Sequence, residues 1–294
     1  MLLLPSPLPS HVPQEVRARA GAETGRRFRG NCSGADVFRV DAPAADNGEA
    51  GEGSFCFLKV QFAAAGAKVE LRAERDRIAW LAERTDSDPD AAPSVARVLA
   101  YEEREVKAGD GLAAPGIWSY LLTTAVPGRA LSAAIDETPI RAGRLMGNAL
   151  RWLHNLDGSG LVLRRHEELL DEAERRVESG LVRSSNLSRG GDPRAAAKLL
   201  KKLRRRVPRA FTPVVSHGDY CLPNVMADLS DRPGLIDLGA MAVADRHLDV
   251  ACAVRSLRHN GGKEDVVRVF RNWYGPDDID ADRLDFYGDL CELL

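Results

Sequence analysis

The chain has 294 residues, 44% of them hydrophobic and 29% charged, with a formal net charge of −2. This is the balance of a folded globular chain with room for one large core or two lobes, and it excludes disordered and membranous classes. So small a net charge gives no whole-molecule field that would draw nucleic acid.

No apolar run reaches the length of a membrane-spanning helix. Residues 1–9 lack the basic start of a signal peptide and are broken by proline, so the expected location is the cytoplasm. The cysteines, Cys32, Cys56, Cys221, Cys252 and Cys291, follow no metal-ligand spacing and read as reduced packing thiols.

After a Pro-rich lead, residues 27–40 read as a strand, a small turn containing Ser33 and a second strand. A polar Gly/Ala/Asp loop over 41–53 leads to a strand over 55–60 that carries Lys59 near its end. Alone, such a lysine reads as a side chain snorkelling at a strand edge. The next segment changes that reading. Residues 69–83 form an amphipathic helix with Leu71, Ile78, Trp80 and Leu81 apolar, and it carries Glu70 and Glu74. A strand lysine that meets α- and β-phosphates, braced by a glutamate of the following helix, belongs to phosphoryl-transfer machinery. Glu74 is preferred to Glu70 as that brace.

Residues 117–124 read as a further strand that stops at Ala125-Val126-Pro127-Gly128. Beyond it the pattern turns helical, with helices expected over 131–156, 167–179, 192–206, 245–257, 263–273 and 281–293. The expected fold class is therefore α+β, with a β-rich N-terminal lobe over 1–126, a mainly helical C-terminal lobe over 127–294, and the active site between them.

The most informative stretch is His217-Gly218-Asp219-Tyr220-Cys221-Leu222-Pro223-Asn224, followed by Ile236-Asp237-Leu238-Gly239. Moving a γ-phosphoryl group needs a carboxylate to orient the attacking hydroxyl, and oxygen ligands for Mg²⁺. Asp219 and Asn224 have the spacing of the loop H-R-D-x-x-x-x-N, with Gly218 in place of Arg, and Asp237-Leu238-Gly239 stands where D-F-G would stand. A strand over 211–215 delivers the loop. Strands over 225–227 and 234–236, joined by a turn-rich 228–233, bring Asn224 and Asp237 to one end of a hairpin. Both offer hard oxygen donors suited to Mg²⁺. Singly, each Asp or Asn reads as an Asx-turn or a helix cap. Jointly they do not, because a fixed H-G-D-x-x-x-x-N arises at roughly one position in 10⁵ with equal residue frequencies.

Other conspicuous residues carry blander readings. Lys201-Lys202-Leu203-Arg204-Arg205-Arg206 lacks interleaved aromatics and reads as a solvated helix face. His154 sits at a helix end and reads as capping or packing, His217 as ordering the loop, and Tyr220 and Cys221 carry no assigned role.

These motifs resemble aminoglycoside 3′-phosphotransferases, bacterial antibiotic-resistance enzymes with a two-lobed protein-kinase-like fold. Val214 to Asp219, Cys221 to Asn224 and Ile236 to Gly239 carry the resemblance. So do Val243-Ala244-Asp245-Arg246, Asp249-Val250-Ala251, Val254-Arg255-Ser256-Leu257 and Phe286-Tyr287. The resemblance implies ATP and Mg²⁺ as cofactors, Asp219 as the catalytic carboxylate, and Asn224 and Asp237 as metal ligands. It implies that Lys59 and Glu74 hold phosphates, that the turn at Ser33 covers them, and that the Thr124 carbonyl and Val126 amide contact adenine. The expected reaction is transfer of the γ-phosphate to a hydroxyl, the 3′ one, of an aminoglycoside, with no nucleic-acid or membrane partner.

The chain departs from the family around the acceptor. Residues 181–189 hold two arginines where the family has an acidic loop, Cys291-Glu292 replaces an Asp-Glu pair, and Ala240 replaces an arginine. The remaining candidates for a polycationic acceptor are Asp289, Glu292 and the carboxylate of Leu294. A kinase for another small alcohol (a different antibiotic, a sugar or an amino-alcohol) and a catalytically silent nucleotide-binding module stay open as alternatives.

Overall fold

A computed structural model describes residues 6–28, 35–41, 55–107, 115–182, 187, 193–275 and 279–294. The chain divides into two compact units, Met1–Pro89 with Val95–Val126, and Asp90–Ser94 with Pro127–Leu294. The stretch 90–94 thus groups with the helical unit and not with the first lobe as a single boundary near 126 implies. Its Ala92 is buried, and the Ala92 carbonyl accepts a hydrogen bond from Arg232 Nε at 3.2 Å.

The first unit contains β1 (Ser6–Pro7), α1 (Gln14–Ala20), β2 (Thr24–Phe28), β3 (Asp36–Asp41), β4 (Phe55–Ala64), α2 (Glu70–Asp86), β6 (Val98–Val106) and β7 (Gly116–Thr124), while the two-residue β5 (Ser94–Val95) straddles the division and belongs to the second unit's sheet with β11 (Pro233–Leu235). Six of its strands form one sheet in the order β1-β2-β3-β4-β7-β6. In β4 successive side chains alternate between faces, as the pleat requires. Cys56, Leu58 and Val60 point into a core with Leu8, Val12, Val16, Ala20 and Tyr120. Lys59, between them, points the opposite way, toward α2. Each fully buried Leu or Val contributes about 1.5–3 kcal/mol. The Pro-rich lead, for which the sequence predicts no element, therefore holds α1, which covers one sheet face. Tyr120 Oη ties it down by donating to the His11 carbonyl at 2.7 Å, and the His11 ring stacks on Trp118.

The second unit contains β8 (Arg129–Ala130), α3 (Pro139–His154), α4 (His166–Glu178), α5 (Pro193–Arg204), β9 (Pro213–Ser216), β10 (Val225–Ala227), β11 (Pro233–Leu235), β12 (Ala242–Asp245), α6 (His247–His259), α7 (Glu264–Tyr274) and α8 (Ala281–Leu290). The helix expected over 131–156 is a 3₁₀ turn at Leu131–Ala133 followed by α3, because Pro139 suits only a helix's first turn. The helix expected from 245 starts at His247, since Asp245 pairs with Pro213 at the end of β12.

Leu169, Leu170, Leu200, Leu203, Leu248, Phe286, Tyr287 and Leu290 join α4, α5, α6 and α8 in one core. Helices α3 and α7 approach closely through two glycines. A Cβ on Gly143 would lie 2.8 Å from the Val266 carbonyl oxygen, and one on Gly147 would lie 2.7 Å from that of Phe270.

Candidate active site

In the second unit β9 pairs antiparallel with β12, and the chain leaves β9 into the 217–224 loop. The first turn of that loop is held by Asp249 of α6, which is fully buried. Asp249 Oδ2 accepts the His217 N–H at 2.7 Å, and Oδ1 accepts the Gly218 N–H at 2.9 Å. Burial alone would raise the Asp249 pKa; the hydrogen bonds it accepts, from His154 and from the Gly218 N–H, outweigh it and hold the carboxyl below its ordinary value.

His217 itself is buried. Its Nε2 bonds the Ile236 carbonyl at 3.0 Å, and its Nδ1 accepts the Asp219 N–H at 3.4 Å. These contacts engage both ring nitrogens and order the loop. Gly218 has φ +83, and a Cβ there would lie 2.5 Å from the Ala240 carbonyl oxygen. A side chain is thus excluded both by conformation and by space.

Farther along the loop, Tyr220 is fully buried and donates from Oη to the Met146 carbonyl at 2.7 Å, while the Leu222 N–H donates to Ser256 Oγ at 2.9 Å. With its main chain so held, the loop presents Asp219 at the surface. Burial, then the neighbouring Asp219, pushes the Cys221 thiol pKa up, so the thiol stays protonated beside that carboxylate.

Asn224 Nδ2 donates to Asp219 Oδ2 and to the Asp219 carbonyl, both at 3.0 Å. The amide thereby fixes the carboxylate and turns its own oxygen elsewhere. The Ile236 N–H donates to the Asn224 carbonyl at 3.1 Å, and Val225 pairs with Leu235, so the hairpin closes beside Asp237. Asp237 has φ 61 and ψ 58, a left-handed conformation that costs a non-glycine residue about 1–2 kcal/mol. Strain of this kind persists where surrounding structure dictates it and clusters at functional sites. Among the described residues no group of three or more His, Cys, Asp and Glu could hold a metal ion. A hard cation here would draw on carboxylate and amide oxygens together with oxygens of its substrate.

In the first unit Lys59 Nζ lies 2.6 Å from Glu74 Oε1. Glu74 is 5% exposed and lies on the same helix face as Leu71, Ile78 and Leu81, whereas Glu70 at the helix start pairs with Lys68 at 3.2 Å. Thr124 ends β7. Its N–H donates to the Arg97 carbonyl at 2.9 Å and its hydroxyl accepts the Arg97 N–H at 2.8 Å; Val126, two residues on, is buried. Ser33 lies outside the described residues, as do 183–186, 188 and 189 of the segment that replaces the acidic loop.

Asp289 forms ion pairs with Lys202 at 2.6 Å and Arg206 at 3.5 Å, while Arg204 pairs with Asp171 and Glu174. The basic run of α5 is thus matched by carboxylates of α4 and α8. Glu292 is 9% exposed, and Leu294 is half-buried against this core. A cavity of about 380 Å³, lined mainly by Leu156, Gly158, Pro213, Val214, Val215 and Val243, lies behind β9 and includes none of Asp219, Asn224 and Asp237.

The sequence alone assigns no individual role to Asp249, Ser256 or Tyr220, although the first two fall in segments that carry the family resemblance. A signal for the first was present, a lone acid between Leu248 and Val250 in an apolar helix. Burying a carboxylate demands partners.

Residues 37–287 match the phosphotransferase enzyme family, APH. An aminoglycoside 3′-phosphotransferase of Niallia circulans is 33% identical over 235 residues, covering 76% of this chain and 79% of the relative. A streptomycin 3″-kinase of Streptomyces griseus is also 33% identical, over 237 residues, with 76% and 79% covered. Among solved structures, aminoglycoside phosphotransferase APH(3″)-Id from Streptomyces rimosus aligns with a TM-score of 0.70 at 28% identity, covering 95% of each chain. That protein is also known in complex with ADP and streptomycin.

Proposed function

The chain belongs to the APH phosphotransferase enzyme family, and on that premise we propose that it transfers the γ-phosphoryl group of ATP to a hydroxyl of an aminoglycoside, the 3′-hydroxyl being the expected acceptor. The observation that carries this reading is the Asp219 carboxylate, exposed at the tip of a buried, hydrogen-bonded loop and oriented by the Asn224 amide. The acceptor oxygen forms a bond to the γ-phosphorus as the bond from that phosphorus to the β,γ-bridging oxygen breaks. Asp219 orients the hydroxyl and takes its proton, and ADP leaves. Holding the reacting oxygen in line is the larger part of such catalysis.

Asn224 Oδ1 and the Asp237 carboxylate fit Mg²⁺, which prefers hard oxygen ligands. When bound, Mg²⁺ supplies positive charge against the triphosphate. Lys59, held by Glu74, meets the phosphates, and the Thr124 carbonyl and Val126 N–H take the adenine; Ser33, outside the described residues, is assigned to the phosphates by the family resemblance. In this reading residues 1–126 serve the nucleotide and residues 127–294 serve catalysis and the acceptor, in the cytoplasm, where ATP is supplied. The acceptor is a polycation, and the carboxylates of Glu292 and Asp289, the latter paired with Lys202 and Arg206, are the negative charge offered to it.

A second regiochemistry has its own support. The 3″-kinase relative matches at the same identity and coverage as the 3′ enzyme. Purified protein with MgATP, challenged separately with kanamycin-type aminoglycosides and with streptomycin, tests both. Stimulated ADP release and a phosphate ester at the 3′ carbon are expected. An ester at the 3″ carbon of streptomycin selects the second regiochemistry. Silence across the panel, with turnover of an unrelated alcohol, overturns the aminoglycoside reading.

A further inference from the structure

His154 stands at the end of α3, yet it caps nothing. Its ring is buried between two other helices: Nε2 lies 3.0 Å from Asp249 Oδ2 on α6, and Nδ1 lies 2.9 Å from the Tyr274 hydroxyl on α7. Tyr274 Oη–H donates to Nδ1, so the imidazole proton sits on Nε2 and donates to Asp249. Burial pushes the His154 pKa down, against the pull of Asp249, and keeps the ring neutral, as this donor and acceptor assignment requires. Asp249 in turn receives the N–H groups of His217 and Gly218, the residues just before Asp219. A chain of hydrogen bonds thus runs from Tyr274 through His154 and Asp249 to the main chain that carries the candidate base. The glycine-mediated approach of α3 and α7, at Gly143 and Gly147, brings these two helices close enough for its outer link.

We propose that His154 is a positioning residue for phosphoryl transfer, acting through Asp249 on the His217–Gly218 main chain and itself oriented by Tyr274. The proposal rests on the phosphotransferase reading of the loop. Its physical content is that Oδ2 carries two donors. With His154 gone, His217 N–H is left to satisfy that buried oxygen, and the carboxylate is free to turn away from Gly218. Gly218 holds its left-handed conformation against Ala240, so a small rotation there carries directly to Asp219. Displacements of about 1 Å at a reacting group can cost about 10²-fold in rate.

The test compares His154→Ala, His154→Gln, Tyr274→Phe and the double variant His154→Gln/Tyr274→Phe with the wild type, in MgATP with the aminoglycoside of highest turnover. His154→Gln keeps a donor near the Nε2 position and serves where His154→Ala fails to fold. For His154→Ala, kcat is expected to fall about 10- to 100-fold with KM for ATP within about twofold. His154→Gln is expected to recover most of that loss. Tyr274→Phe should lower kcat about threefold in the wild type and have no further effect beside His154→Gln, because its role passes through the imidazole. The basal rate of ATP hydrolysis, read on every variant without aminoglycoside, separates the two claims. A wild type silent on the whole panel, whose basal hydrolysis still falls in His154→Ala, sinks the acceptor reading alone. A folded His154→Ala with kcat and basal hydrolysis within twofold of wild type overturns the positioning role. So does additive loss in the double variant.

Discussion

Lys59 and Asp219 are held by different means. Lys59 sits on a sheet strand and is aimed through its side chain, by Nζ meeting a buried Glu74 on α2. Asp219 sits on a loop and is aimed chiefly through its main chain, by Asp249, Ser256, His217 and Asn224 acting on residues 217–224, with one further bond from the Asn224 amide to the carboxylate. A long flexible side chain that binds a phosphate as a point charge tolerates some play. A short carboxylate that must meet one hydroxyl in line does not. The difference teaches that precision in this fold is delivered by buried main-chain hydrogen bonds, and adaptability by an ion pair.

That comparison can be broken at either end. The largest expected effect is at Gly218. Gly218→Ala adds a Cβ at φ +83, 2.5 Å from the Ala240 carbonyl oxygen. A loss of about 2–5 kcal/mol in stability is expected from conformational strain plus overpacking. Where the protein still folds, a fall in kcat of at least about 10²-fold is expected from the displaced loop. Chemical denaturation and steady-state kinetics read the two quantities; wild-type values in both would remove the main-chain clamp.

A smaller effect is expected at Glu74. Glu74→Gln leaves Lys59 without that carboxylate, and KM for ATP is expected to rise about tenfold, or about 1.4 kcal/mol, with kcat changed less. A fall in kcat at unchanged KM would mean that the ion pair serves the transition state and not nucleotide binding.

The α+β, two-lobed, protein-kinase-like fold read from the sequence is borne out, and the reasons are local. The hairpin joining Asn224 to Asp237 spans few residues, so turn chemistry and strand pairing place both ends. Glu74 was distinguishable from Glu70 because it falls three residues from Leu71 and four from Ile78, on the buried stripe of α2. Two elements left no such mark. Helix α1 is seven residues long with only Val16 and Ala20 buried, too short for periodicity to show. Strand β6 lies at the sheet edge and reads Val-Leu-Ala-Tyr-Glu-Glu-Arg-Glu-Val, in which charge hides the alternation. The Tyr274–His154–Asp249 chain was illegible for a different reason. It joins three helices across 120 residues, and no spacing rule reaches that far.

The most direct measurement of whether the helical unit's loop performs the chemistry uses one variant and two readouts. Asp219→Ala, at a surface position, is titrated with ADP and with MgATP by calorimetry, and its phosphoryl transfer to aminoglycoside is timed. Nucleotide affinity within about twofold of wild type is expected, with transfer reduced by about 10²–10⁴-fold, the share a positioned base contributes. Near-normal transfer in the folded variant would contradict the assignment of Asp219 and, with it, the functional reading of the loop.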